Sequence, residues 1–114
     1  KSLKDPYYTE EEAVTQVGKG WELLVREVYA AKTGMGINVG IIQVKEKYGG
    51  LRIYTDYYHQ QLEEVIQDVG KRSFSVCEEC GAKGNLWRRR GSWYVSRCDD
   101  HKGSEAVLVP TDKE

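Results

Sequence analysis

The residues with the clearest chemistry lie between positions 77 and 101. Cys77 and Cys80 stand two residues apart, and Cys98 and His101 repeat that spacing after seventeen further residues. Zinc prefers thiolate and imidazole donors, and four of them complete its tetrahedral shell. The pattern therefore predicts one structural Zn²⁺ bound by Cys77, Cys80, Cys98 and His101, with no position left for water.

Other interpretations of these residues have less support. Three buried thiols and a surface histidine would not explain two pairs with the same spacing. Disulfides fit poorly, because three cysteines cannot all pair within one chain. Gly81 directly follows Cys80 and permits the positive φ that a metal-binding turn usually needs.

The segment between the two ligand pairs predicts a β-hairpin closed by Gly91-Ser92. That register places on one face Leu86, Arg88, Arg90, Trp93, Val95 and Arg97. The other face then carries Trp87, Arg89, Tyr94 and Ser96. Together with the ligand pairs, the hairpin predicts a treble-clef or zinc-ribbon lobe over residues 71–103.

The segments before this lobe are predicted to form helices that support it. Thr9 and Glu12 form a capping box, and apolar residues follow at helical spacing. Gly18 and Gly20 predict a kink or a break, with the stronger helix over 21–32 and Gly34 as its end. A second helix is predicted over 59–74, with its buried stripe formed by Leu62, Val65, Ile66 and Val69. His59 has no partner at ligand spacing and is expected at the surface.

A hairpin over 37–58 is predicted between the helices, closed by Gly49-Gly50. Tyr48 then faces Leu51, and Lys47 faces Arg52. The core side would hold Ile42, Val44, Glu46, Tyr48, Leu51, Ile53, Thr55 and Tyr57. The outer face would hold Gln43, Lys45, Lys47, Arg52, Tyr54 and Asp56. This outer face is interpreted first as a solvated surface and second as a ligand-binding one.

The fold class that follows is α+β, with helices packed on a β-hairpin and a Cys3His zinc lobe after them. The predicted division is 1–70 for the core, 71–103 for the lobe and 104–114 for a polar tail. After His101 we expect either one or two helical turns or a strand over 106–109. No apolar run approaches the ~20 residues of a membrane span, and no signal peptide is visible. Thiols kept for a metal predict a cytoplasmic location.

Charge suggests what the lobe could bind. The chain carries a formal net charge of -1, but residues 71–103 hold eight basic and four acidic residues. Arginine can contact phosphate, and aromatic rings can stack on unpaired bases. The candidate contacts are Arg88, Arg89, Arg90, Trp93 and Arg97, joined by Lys45, Lys47, Arg52 and Tyr54. In the alternative interpretation, tryptophans shield the metal and the arginines are solvated or pair with Glu78, Glu79, Asp99 and Asp100.

Enzymatic functions have weaker support. A zinc deaminase needs an H-x-E motif and an open metal site, whereas His59 is followed by Gln-Gln. The lobe lacks the second histidine of a His-Asn-His nuclease, and Gly18-Lys-Gly20 lacks P-loop spacing. We therefore expect a non-catalytic module.

Several motifs also resemble those of a known group. The run QVKEKYGGLRIY at 43–54, CEECG at 77–81, Gly91-Ser-Trp93 and CDDH at 98–101 resemble those of small uncharacterised proteins of bacteriophages and prophages. The likeness covers roughly residues 18–102. It implies a protein of the bacterial host cytoplasm directed at a host system, and it implies no activity. The leading hypothesis is therefore a module that contacts nucleic acid, and the alternative is one that binds and inhibits or redirects a host protein.

Overall fold

The chain folds into helices on a two-stranded hairpin, followed by a small three-stranded sheet. A computed structural model describes residues 5–110. In order, the elements are α1 (Glu10–Val14), a 3-10 turn (Lys19–Trp21), α2 (Glu22–Met35), β1 (Ile41–Lys47), β2 (Gly50–Thr55), α3 (Gln60–Ser73), β3 (Asn85–Arg89), β4 (Trp93–Arg97) and β5 (Val107–Leu108). The strand orders are β1-β2 and β4-β3-β5. The predicted α+β class is confirmed, with the Cys3His group on the second sheet. The outermost residues of the predicted segments, 1–4 and 111–114, lie outside the described residues.

The predicted capping box starts α1. The Glu12 N–H donates to the Thr9 hydroxyl at 3.1 Å, and the Thr9 N–H donates to the Glu12 carboxylate at 2.9 Å. Two of the four N–H groups that a helix start leaves unpaired gain partners in this way.

Of the kink or break predicted near Gly18 and Gly20, the structure shows the break. The 3-10 turn separates α1 from α2 there. The predicted end at Gly34 is wrong, because α2 continues to Met35 and closes at Gly36, which has φ 67°. The αL conformation at Gly36 directs its N–H back to the last helical carbonyls.

The core lies between α2, α3 and the inner face of β1-β2. Trp21 is fully buried where the 3-10 turn meets α2. The remaining members of the cluster are Ala13, Leu24, Val25, Val28, Val39, Ile41, Val44, Leu51, Ile53, Leu62, Ile66 and Val69. Burial of these side chains supplies the main stabilisation of the fold.

The first hairpin has a different turn from the predicted one. Its two loop residues are Tyr48 and Gly49, with φ 53° and 86°, which is the type I′ geometry that suits a two-residue hairpin. Lys47 consequently faces Gly50, and Arg52 faces Lys45. The predicted pairing of Lys47 with Arg52 is therefore wrong by two residues. A shift of two keeps every side chain on its face, so Lys45 and Arg52 remain on the outer side.

Four residues assigned to the core side are exposed, and one of them, Tyr57, lies beyond the end of β2 at Thr55. A β-bulge between Ile41 and Gln43 turns Ile41 inward and leaves Ile42 exposed. Tyr48 is exposed because it lies in the turn. Glu46 is exposed too, and its carboxylate accepts the Gly49 N–H at 2.7 Å.

The later elements largely follow the sequence. Helix α3 matches the prediction within one residue at each end, and its stripe is buried apart from a half-buried Val65. His59 is not a surface residue: it is half-buried, and its Nδ1 has no hydrogen-bond partner among residues 5–110. Of the two alternatives after His101, the strand is observed, as β5. In the described part of the chain, no helix is both long and apolar enough to cross a membrane.

The first prediction concerns the facing of β2. Leu51→Asp should lower the free energy of unfolding by about 3 kcal/mol or more, because it places a charge in the core. Arg52→Asp puts the same side chain on the exposed face and should cost less than about 1 kcal/mol. Urea unfolding of the two variants measures the difference. Equal losses of unfolding free energy in the two variants would contradict the assignment of Leu51 to the buried face and Arg52 to the exposed face.

Candidate metal centre

Four side chains converge at the base of the second sheet. The donor atoms of Cys77, Cys80, Cys98 and His101 all lie within 4.8 Å of one another. The Cys80 and Cys98 sulfurs are 3.8 Å apart, and His101 Nδ1 lies 3.3 Å from the Cys98 sulfur and 3.6 Å from the Cys77 sulfur. This group could hold one metal ion.

These three separations fit zinc. Donors at about 2.3 Å for sulfur and about 2.0 Å for nitrogen, at tetrahedral angles, stand roughly 3.8 Å and roughly 3.5 Å apart. The thiols also crowd one another. A backbone N–H from Ala82 lowers the pKa of the Cys80 thiol, but burial and the neighbouring sulfurs of Cys77 and Cys98 outweigh it, and the net pKa is raised. A divalent cation would remove the cost of gathering these thiolates.

The first ligand pair sits in a tight turn. The Gly81 N–H donates to the Cys77 carbonyl at 2.8 Å, and Gly81 has the positive φ, 84°, that the sequence predicts. Burial raises the pKa of the Cys77 thiol, but hydrogen bonds from the backbone N–H groups of Cys98, Cys80 and Glu79 lower it to about 6. The fold therefore favours a thiolate at Cys77, which is the form that binds metals.

The second ligand turn is held by arginine. The His101 N–H donates to the Cys98 carbonyl at 3.1 Å. Arg89 donates to the Lys102 carbonyl at 2.9 Å and to the His101 carbonyl at 3.2 Å, and Arg97 donates to the same His101 carbonyl at 3.3 Å. These bonds fix the backbone that carries the histidine ligand.

Arg97 also joins the two ligand turns. Its guanidinium contacts the Glu78 carboxylate through Nη2 at 2.5 Å and through Nε at 3.0 Å, and it lies 3.3 Å from Glu79. The Arg97 and Glu78 side chains are each only 15% exposed. Arg97 thus forms an ion pair within the protein, as the alternative interpretation of the arginines predicts. Removal of one partner would leave a largely buried charge unpaired, which is costly.

The 3-10 turn docks on the first ligand turn. The Gly20 N–H donates to the Glu78 carbonyl at 2.9 Å, and Trp21 Nε1 donates to the Val76 carbonyl at 2.8 Å. A Cβ at Gly20 would overlap the Cys77 carbonyl oxygen. Sequence reasoning assigned Gly20 a cost in helix stability and a kink or break, but no contact. The two glycines signalled an interruption of the helix, and not the segment that docks there.

The second hairpin corrects the predicted register by one residue. Its loop has three residues, Arg90, Gly91 and Ser92, and Arg89 faces Trp93. Trp87 and Val95 therefore form a buried pair on the face that also carries Arg89 and Arg97. The opposite face carries Leu86, Arg88, Tyr94 and Ser96. A two-residue Gly-Ser turn and a three-residue loop with Gly and Ser at positive φ both suit this sequence, and the packing of Trp87 favours the second.

The predicted binding residues fall into two groups. Arg89 and Arg97 turn toward the ligand backbone, as described above. The others are exposed except for the half-buried Lys45, and they are Lys45, Lys47, Arg52, Tyr54, Arg88, Arg90 and Trp93. Trp93 is 64% exposed and therefore does not shield the metal site, whereas Trp87 is 8% exposed.

The tip of the first hairpin packs against β4 of the second. The Ser96 hydroxyl donates to the Gly49 carbonyl at 2.5 Å. A groove of about 210 Å³ lies between this tip and the loop end of β4, and is lined by Glu46, Lys47, Tyr48, Ser92, Trp93 and Tyr94. Sequence reasoning missed Tyr48 as a surface residue because the turn was placed one residue too late.

No protein-family model, curated protein or solved structure matches this chain. The resemblance to phage and prophage proteins gains no support from these comparisons and stays a prediction from the motifs.

The second prediction concerns metal content. The purified protein should contain about one zinc per chain, and His101→Ala should lose most of it, because three ligands bind more weakly than four. His59→Ala, at the other histidine of the chain, should keep it. Elemental analysis and thermal unfolding with and without chelator measure both effects. Equal zinc content in the two variants would contradict the assigned ligand set.

The third prediction concerns the contact of Gly20. Gly20→Ala should destabilise the zinc-loaded protein by about 2 kcal/mol or more and speed zinc loss to a chelator, because the new methyl group displaces the Cys77 carbonyl. Gly34→Ala is the matched control, since its Cβ meets open space within α2. It should be neutral or stabilise by about 0.5–1 kcal/mol. A Gly20→Ala protein as stable as the control would contradict the close approach.

Proposed function

We propose that this chain is a non-catalytic, zinc-stabilised module that binds single-stranded nucleic acid where the tip of its first hairpin meets the second hairpin. The Cys3His set supports a structural zinc, because four protein donors fill the tetrahedral shell and leave no position for a reacting water. The zinc then serves to hold the second hairpin, and the exposed side chains carry the function.

The observation that carries this proposal is the shared groove between the hairpins. It brings Lys47 and Tyr48 from the first hairpin beside Trp93 and Tyr94 from the second. Tyr48 and Trp93 are 66% and 64% exposed. Large exposed aromatic rings beside cations are the features that bind unpaired bases and their phosphates.

Cations surround these rings. Lys47 Nζ lies 5.6 Å from the centre of the Tyr48 ring. Arg88 faces Tyr94 across β3-β4, and Arg90 lies with Trp93 along a second groove. Glu46 is the acidic residue among the lining residues of the shared groove, and its carboxylate is bonded to the Gly49 N–H.

The outer face of β1-β2 extends this surface. Lys45 and Arg52 stand directly opposite each other, which is unfavourable unless an anion lies between them. Lys45 Nζ also lies 5.8 Å from the centre of the Tyr54 ring. A phosphate bound between Lys45 and Arg52 would relieve their repulsion, and Tyr54 offers a further stacking surface.

The second candidate is a module that binds a host protein. Tyr57 and Tyr58, 70% and 76% exposed, favour it because exposed aromatic residues are enriched at protein interfaces. Salt separates the two candidates, since phosphate contacts weaken steeply as ionic strength rises and aromatic interfaces do so much less.

The fourth prediction tests the nucleic-acid proposal. A fluorescent twelve-nucleotide oligothymidylate should bind in ~50 mM salt and dissociate as salt rises, because its phosphates are exchanged for ions. Trp93→Ala should weaken binding by ~1–3 kcal/mol with little change in salt slope, since it removes stacking. Arg88→Ala with Arg90→Ala should weaken binding and reduce the slope by roughly 0.7 per lost phosphate contact. Fluorescence anisotropy measures each constant.

Two matched controls accompany these variants. Tyr57→Ala removes an exposed aromatic that lies outside the shared groove, and Lys19→Ala with Lys83→Ala removes two exposed charges beside the metal turn. Both should leave oligonucleotide affinity within about twofold of the parent. No binding at ~50 mM salt, or equal losses in the control variants, would contradict the proposal.

A further inference from the structure

The far edge of β2 has no neighbouring strand in the described part of the chain, where the first sheet consists of β1 and β2. The Leu51 N–H points to that edge and donates to the Ser73 hydroxyl of α3 at 2.9 Å. Backbone groups two residues apart on a strand point the same way. The N–H and C=O of Ile53 therefore also point away from β1, and no backbone group in residues 5–110 bonds to them from that side.

A groove of about 600 Å³ follows this edge, between β2 and α3. Five consecutive β2 residues, 51–55, line it, which shows that it runs along the strand edge rather than over one face. On the helix side Glu63, Gln67 and Lys71 line it at successive turns, with apolar surface from Ile66 and Phe74. The groove thus combines the N–H and C=O of Ile53, which no backbone group in residues 5–110 bonds from that side, with space for side chains.

The groove has a charge at each end. Lys71 lies in the last turn of α3, near the Leu51 end of the strand, and Arg52 lines the same groove. Glu63 lies in the first turn of α3, on the side of Tyr58. An occupant with acidic groups at the Lys71 end would match this distribution.

We propose that the groove binds an extended peptide segment, which adds to β2 as a third strand and places acidic residues beside Lys71 and Arg52. Strand addition at an open edge takes its affinity from main-chain hydrogen bonds and its specificity from alternate side chains. Here the N–H and C=O of Ile53 supply the main-chain donor and acceptor. The proposal does not rest on nucleic-acid binding: it shares Arg52 and Tyr54 with the surface proposed for that function, but it uses neither the groove between the hairpins nor the metal ligands.

The test uses the zinc-loaded full chain, labelled with ¹⁵N. The probe is an eight-residue peptide of alternating threonine and valine that ends in two aspartates. Binding should slow hydrogen exchange of the Ile53 amide by about tenfold or more, while the Leu51 amide, already bonded to Ser73, changes little. A peptide with two lysines in place of the aspartates should bind more weakly.

Variants locate the binding site. Gln67→Trp should abolish peptide binding by filling the groove, and Gln61→Trp, the same substitution on α3 outside the groove, should leave it unchanged. Lys71→Glu should weaken binding of the acidic peptide by roughly threefold to tenfold. Lys47→Ala should leave it unchanged, because Lys47 belongs to the hairpin tip.

Four results would overturn the proposal. The first is peptide binding that leaves Ile53 exchange unchanged, and the second is equal binding by the Gln67→Trp and Gln61→Trp proteins. The third is protection of Ile53 by the oligothymidylate, which would assign the groove to nucleic acid. The fourth is protection of Ile53 without peptide that rises with protein concentration, which would assign the edge to a second copy of the chain.

Discussion

The structure depends on a backbone contact between the 3-10 turn and the first ligand turn of the metal centre. Glu78 and Val76 flank Cys77, and their carbonyls accept hydrogen bonds from Gly20 and from the Trp21 indole. The position of Cys77 is therefore defined by the helical core as well as by its sulfur. Because Trp21 is also fully buried, the metal centre and the core share one residue and stabilise each other. A chain of this size buries a modest core, so such a link contributes substantially to its stability.

The basic residues of the lobe divide according to what they face. Arg97 and Arg89 lie on the side of the second sheet that turns toward the ligand backbone, where carbonyls and the Glu78 carboxylate satisfy their donors. Arg88 and Arg90 are exposed. Composition alone groups all four together, although two of them stabilise the histidine turn. The surface available to a ligand is consequently smaller than the charge count indicates, and it gains Tyr48 from the other hairpin.

The sequence predicted what depends on local pattern, and it missed what depends on packing between distant segments. The ligand spacing of Cys77 and His101, the Thr9 cap and the α3 stripe are local, and the structure brings them together as expected. Both hairpin registers were wrong. At the first tip two glycines compete for the turn, and contacts with the second hairpin, including Ser96 with Gly49, are non-local. At the second tip, burial of Trp87 selects a longer loop. The docking of Gly20 could not be predicted without knowing what lies opposite it.

The separations along the chain indicate an order of folding. The metal ligands are joined by hairpin-scale loops, since positions 77 and 101 are separated by 24 along the chain, whereas Trp21 and Val76 are separated by 55. Closing a longer loop costs more entropy, and non-local contacts form more slowly. The ligand hairpin can therefore capture its ion before Gly20 and Trp21 dock, and it then presents a preformed platform to them. Metal binding would thus set how early this platform is complete, in addition to the stability of the finished protein.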